Sequence, residues 1–243
     1  MPCISVVRVT GEEIIHAQFV ASCSFAILLR DCAHVLGVGQ DQCVLVSSDC
    51  RSFAPSCTVE QAGLVDGDVL TLVIGKTRIF AYYLGHSFAV IHPDGSLSCW
   101  GNPTDGGDAD MVQDKLLADV QMVTGNSAAW AAIKADGSVV TWGERFAGGS
   151  SGCKREQLFG VLRVVASNVA FAALKDDGSV VTWGDAHDGG NCAHVQTELT
   201  EGVQQLVGNP TGFAAVRLDG SVVTWGRADL GGDSSAVRDP LQG

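Results

Sequence analysis

Asp177-Gly178-Ser179-Val180-Val181-Thr182-Trp183-Gly184 is the stretch on which the reading of this chain turns. Asp-Gly is a hairpin signal, because glycine takes positive φ at little cost. Phe171-Ala172-Ala173-Leu174 before it predicts a short strand, and Ser179 to Trp183 predicts the return strand. The phrase recurs at Asp94-Gly95, Asp136-Gly137 and Asp219-Gly220, in steps of 42, 41 and 42 residues. Each copy carries a Trp six residues after its Asp, at Trp100, Trp142, Trp183 and Trp225. An aromatic stands six residues before it, at Phe88, Trp130, Phe171 and Phe213. Glycine pairs follow at 106–107, 148–149, 189–190 and 231–232. Agreement at this many positions defines an internal repeat.

Upstream of each hairpin lies a further apolar segment, at 120–123, 162–165 and 203–207 in the last three copies. Three strands and a connector cannot bury both of their faces alone. Stacked copies can, with the aromatic and Trp positions filling the space between neighbouring sheets. The repeat region is therefore read as residues 78–243, with copies at about 79–119, 120–161, 162–202 and 203–243.

The pattern resembles the regulator of chromosome condensation repeats, and its short period is similar to the compact repeats of bacterial β-lactamase inhibitor protein II. The resemblance implies a β-propeller. Those relatives close with more blades than the four copies present here, and an open arc would leave sheet edges uncovered. A truncated product or a fragment of a longer protein is the favoured expectation. Ring completion between chains, hence self-association, and a tight closure of four blades stay open.

Residues 1–77 do not fit the repeat. Strands are expected over Ile4 to Thr10, Ile14 to Val20, Cys43 to Val46 and Val69 to Ile74. Ser24 is placed to cap a helix carrying Phe25, Leu28, Leu29 and Cys32 on one side and ending near Gly37. The order ββαββ describes a compact α+β domain with a mixed sheet. The Val9-Thr10-Gly11 turn, Gln40-Asp41-Gln42, and Thr58 to Leu64 leading through Asp66-Gly67-Asp68 into Leu70 to Val73 resemble ubiquitin and the ubiquitin-like β-grasp domains. By that resemblance, Val9, Leu45 and Val73 match an aliphatic patch on the open sheet face that meets helical and zinc-ribbon readers. The basic residues around such a patch are missing, with Cys43 and Asp49 nearby. The alternative is that these residues only cover the repeat domain. The last strand continues through Gly75-Lys76 into the repeats, so the head is expected to be a fixed domain rather than a conjugated modifier.

A net charge of −12 disfavours phosphate backbones and anionic membrane faces, so neither nucleic acid nor membrane is an expected partner. No apolar run is long enough to span a bilayer, and no signal peptide is evident at the start. Nine cysteines without framework spacing read as reduced thiols, which predicts a cytoplasmic or nuclear location.

Candidate chemistry is sparse. There is no C-x-x-C or H-x-x-x-H, and Asp185 to Asn191 lacks the alternation and closing Glu of a calcium loop. Cys99 with His86 or His92 is the one conceivable nucleophile pair, and it reads as ordinary repeat divergence. The four turn aspartates need only a structural explanation. No catalytic, metal or cofactor site is expected. Loops after each Trp carry Asp108, Asp110, Glu144, Arg145, Asp185, His187, Arg227 and Asp229, a mixed rim that would suit a basic protein segment.

The favoured function is a non-catalytic protein-interaction scaffold tied to the ubiquitin pathway through its head, as in propeller-bearing HECT-type ligases, whose catalytic region this sequence lacks. The alternatives are a guanine-nucleotide exchange factor or regulator of a small GTPase, and an enzyme inhibitor acting through rim loops.

Overall fold

The computed structural model describes residues 2–8, 10–48 and 51–235, which divide into two compact units, one comprising the residues up to Arg78 together with His92–Asp94, the other Ile79–Ile91 and the residues from Gly95 onward. The head contains β1 (Cys3–Arg8), β2 (Glu13–Gln18), α1 (Phe25–Leu36), β3 (Cys43–Ser47) and β4 (Val69–Ile74). Its sheet runs β2-β1-β4-β3, with β1 and β4 parallel and the outer pairs antiparallel. Helix α1 packs Phe25, Leu28, Leu29 and Cys32 against Ile4, Val6, Leu45, Leu70 and Leu72 in one core. Period-2 alternation puts those sheet residues on one face and their neighbours on the other.

The helix begins where Ser24 predicts, but the Ser24 side chain makes no capping bond. Gly37 closes the helix in the left-handed conformation at φ 66°. A reciprocal cap forms instead at Thr58 and Gln61: each backbone N–H donates to the other's side-chain oxygen, at 3.0 and 3.2 Å.

The repeat unit holds four three-stranded sheets. These are β5 (Arg78–Ala81), β6 (Ser87–Ile91) and β7 (Leu97–Gly101), then β8 (Val120–Gly125), β9 (Ala129–Lys134) and β10 (Val139–Gly143). The third is β11 (Val161–Ala166), β12 (Ala170–Lys175) and β13 (Val180–Gly184), and the fourth is β14 (Val203–Asn209), β15 (Gly212–Arg217) and β16 (Val222–Gly226). This is the repeated all-β architecture that the Asp-Gly-Ser phrase predicts. In every copy the aromatic pairs directly with the Trp across the hairpin: Phe88 with Trp100, Trp130 with Trp142, Phe171 with Trp183 and Phe213 with Trp225. Their ring centroids lie 5.3 to 6.4 Å apart.

Neighbouring sheets are also stitched through backbone. The carbonyls of the turn glycines Gly95, Gly137 and Gly178 accept from the N–H that opens the next repeat, at Val120, Val161 and Val203, over 2.8 to 3.0 Å. The loops between first and second strands are joined in series as well. Ser127 N–H donates to the Asn168 carbonyl and Asn168 N–H to the Pro210 carbonyl, while the Tyr82 hydroxyl reaches Asn168 Oδ1 at 2.8 Å. Burial pushes the Tyr82 phenol up to about 12.

Candidate interaction surfaces

The repeat motif resolves into three structural jobs. Asp177 Oδ1 accepts from both the N–H and the hydroxyl of Ser179, at 2.9 and 2.6 Å, and the same pair forms at Asp136 with Ser138 and at Asp219 with Ser221. These bonds hold the Asp177 carboxyl down at about 2, the Ser179 hydroxyl contributing most, and they lower Asp136 and Asp219 in the same direction. Ser is in the phrase because it completes this Asx turn; the strand reading of the sequence assigns it no such part.

The second job belongs to the Trp indoles. Trp142, Trp183 and Trp225 donate Nε1–H to the carbonyls of Gly106, Gly148 and Gly189, in the preceding repeat, at 3.0 to 3.1 Å. The third belongs to the glycine pairs, which do more than reverse the chain. The first glycine of each of the first three pairs has positive φ and lies under an aromatic of the following repeat: a Cβ on Gly106 would sit 2.5 Å from Trp130, on Gly148 2.7 Å from Phe171, and on Gly189 2.6 Å from Phe213.

A fourth position escaped the sequence reading. In the last three repeats, the residue that ends the first strand or directly follows it ties down the corner that carries the glycine pair. Asn126 Nδ2 donates to the Ala147 carbonyl, Ser167 Oγ to the Asp188 carbonyl and Asn209 Nδ2 to the Leu230 carbonyl, at 2.7 to 3.1 Å. In the first repeat His86 Nδ1 instead meets Asp105 Oδ2 at 2.9 Å. His86 is thus engaged structurally, while burial pushes the Cys99 thiol up, the direction opposite to that of an activated nucleophile.

The head's patch needs correction. Leu45 is fully buried in the core beneath α1, because β3 alternates inward at Cys43, Leu45 and Ser47. It cannot take part in an open-face patch. Val44 and Val46 point to the other side, and Val44 pairs directly with half-buried Val73. Val9 lies outside the described residues. The open face is therefore aliphatic on its β3–β4 side, around Val44 and Val73. On its β1–β2 side it is polar, where His16 Nε2 lies 3.2 Å from Cys3 Sγ and Nδ1 lies 2.6 Å from Ser5 Oγ. Only the register of β1 against β2, with Ser5 opposite His16, brings these three together, so no sequence spacing announces them.

Much of the rim is spent locally. Glu144 accepts from Ala147 N–H, Asp185 from His187 and Asp188 N–H, and Asp108 from Asp110 N–H, while Arg227 pairs with Asp229 at 3.2 Å. Between the third and fourth repeats the rim encloses a groove of about 660 Å³ lined by His187, His194, Arg227 and Asp229 among others.

Comparison with known proteins gives structural likenesses alone. No family model matches the chain. No curated protein matches it. Among solved structures, human WBSCR16 is similar over 58% of this chain and 45% of that one, at 17% identity and a TM-score of 0.44. The chain thus spans less than half of that structure. Caldiarchaeum subterraneum ubiquitin is similar over 31% of this chain and 94% of its own, at 17% identity and a TM-score of 0.29. A computationally designed protein based on the template of human erythrocytic ubiquitin covers the same shares at 22% identity and a TM-score of 0.28.

Proposed function

We propose that this chain is a protein-interaction scaffold, in which a ubiquitin-like β-grasp head is joined to propeller-type repeats and recruits readers of ubiquitin-like surfaces. The observation that carries the scaffold reading is how the repeated residues are used. Asp and Ser build the hairpin turn, Trp bonds the preceding repeat, and glycine admits the following aromatic. The motif is consumed by stacking, which leaves recognition to the residues that vary between copies. The loops that join in series through Asn168 support the propeller-type reading.

For the head, support comes from the mixed sheet with a parallel central pair, the single helix packed across one face, and the aliphatic Val44–Val73 pair on the other. Titrating the full chain against a panel of helical and zinc-ribbon ubiquitin readers tests this. Wild type is expected to bind at least one, and Val44→Asp or Val73→Asp to weaken it tenfold or more. Binding unchanged in both variants, or no binding by wild type, rejects the reading. Leu45→Asp is unsuitable, since a buried charge would test folding instead.

A further inference from the structure

The polar side of the head's open face brings a thiol, an imidazole and a hydroxyl into one chain of contacts. Cys3 and Ser5 stand two residues apart on β1, so their side chains leave the same face of the sheet. The register sets Ser5 opposite His16 on β2, and the imidazole spans both: Nε2 lies 3.2 Å from Cys3 Sγ and Nδ1 lies 2.6 Å from Ser5 Oγ. With the ring proton on Nδ1 and donated to Ser5 Oγ, Nε2 is the acceptor for the Cys3 S–H. Glu13 Oε2 stands 3.7 Å from the same Nδ1, so positive charge formed on the ring by proton transfer meets a carboxylate.

The backbone around Cys3 narrows the chemistry. Cys3 N–H donates to Asp66 Oδ1 at 2.8 Å, its carbonyl accepts from Gly67 N–H at 2.9 Å, and Ser5 N–H donates to the Asp68 carbonyl at 3.1 Å. Acyl transfer calls for N–H donors aimed at a developing oxyanion, and the N–H groups of Cys3 and Ser5 are already spent. Among the described residues no three His, Cys, Asp or Glu side chains are grouped to hold a metal ion. Attack on a disulfide needs neither device, because the charge stays on sulfur throughout. Other thiols lack the base. Cys23, Cys32, Cys43 and Cys192 are buried, and half-buried Cys57 directs its Sγ to the Thr58 carbonyl at 3.5 Å.

We infer that Cys3 is a site of S-thiolation by low-molecular-weight disulfides of the glutathione class, with His16 as general base and Ser5 as the positioning residue that holds the ring. The S–H proton passes to His16 Nε2 as the Cys3 sulfur attacks one sulfur of the disulfide. A new S–S bond forms to Cys3 while the old one breaks. The departing thiolate is protonated from solvent, and His16 returns its proton to solvent. The disulfide is thus the oxidant, and one of its halves leaves reduced as a thiol. The site does not depend on the function proposed above.

The test treats the reduced full chain with oxidised glutathione, quenches at intervals, and follows the Cys3 and Cys57 peptides separately by mass spectrometry. Cys57 serves as the reference inside the same molecule. In wild type, Cys3 is expected to gain glutathione about tenfold or more faster than Cys57. The His16 side chain is 58% exposed, so His16→Gln keeps the fold. It is expected to slow Cys3 by about tenfold or more and to leave the Cys57 rate unchanged. Ser5→Ala is expected to slow Cys3 severalfold, and Ser5→Thr, which keeps a hydroxyl on a strand, to restore the wild-type rate. Cys3 reacting no faster than Cys57 overturns the inference, as does a Cys3 rate that survives His16→Gln. Equal rates in Ser5→Ala and Ser5→Thr remove Ser5 from it.

Discussion

The serine of the Asp-Gly-Ser phrase makes the turn's charge state part of its stability. The Ser179 hydroxyl and N–H hold the ionised Asp177 carboxylate, and its folded value falls to about 2, against an unfolded value of about 3.9. A depressed carboxylate contributes stability that is fully present above the unfolded value and is lost as pH falls through the folded one. Asp136 and Asp219 shift the same way for the same reason. Melts of the full chain followed by Trp fluorescence are therefore expected to be flat from neutrality to about pH 4 and to fall between about pH 4 and 2. Ser179→Ala should move the Asp177 carboxyl resonance titration back toward the ordinary carboxylate range. A titration unmoved by Ser179→Ala would show that the hydroxyl is not the cause. The carboxylates are exposed, so the effect per turn is small and salt weakens the Lys175–Asp177 ion pair that assists it.

At the scale of elements, the glycine pair shows what sequence periodicity can and cannot report. Gly37 and Gly148 both have positive φ, at 66° and 96°. A Cβ on Gly37 meets nothing within 4 Å, whereas on Gly148 it would lie 2.7 Å from Phe171. Gly37→Ala should cost about 1 kcal/mol from backbone strain alone. Gly148→Ala adds the displacement of a buried ring and should cost about 3 kcal/mol or more, as read from denaturant midpoints of each unit. Equal costs would mean that the glycine pair only turns the chain. The hairpins, the recurrence of the aromatic and Trp positions and the head's ββαββ order were legible because each depends on local spacing. The overlap of Gly148 with Phe171, the tether from Asn126 to Ala147 and the Cys3–His16–Ser5 group were not, because they arise between strands whose offset is set by packing. Leu45 fell on the wrong side for a related reason: a match by likeness ignores strand parity, and a shift of one residue reverses the face.

At the scale of the molecule, each unit has its own core, and the distribution of tryptophan allows the two to be followed separately. Ile4, Phe25, Leu28, Leu45, Leu70 and Leu72 form the head's core. The repeat unit's cores are built from the aromatic pairs and the small residues of the middle strands. All five tryptophans stand at position 100 or later, so intrinsic fluorescence reports on the repeats alone. Removing the Leu45 side chain opens a cavity in a site that is fully buried, at a cost of about 2–5 kcal/mol. That is a large share of the total stability of a domain the size of the head. Leu45→Ala is therefore expected to raise hydrogen exchange across β1, α1, β3 and β4 by orders of magnitude and to leave the Trp-detected melting transition within about a degree of wild type. A matching fall in the fluorescence transition would instead show that the units unfold as one. In that case the repeats draw on the head for stability, and substitutions on the open face of its sheet would have to be read through folding before they could be read through binding.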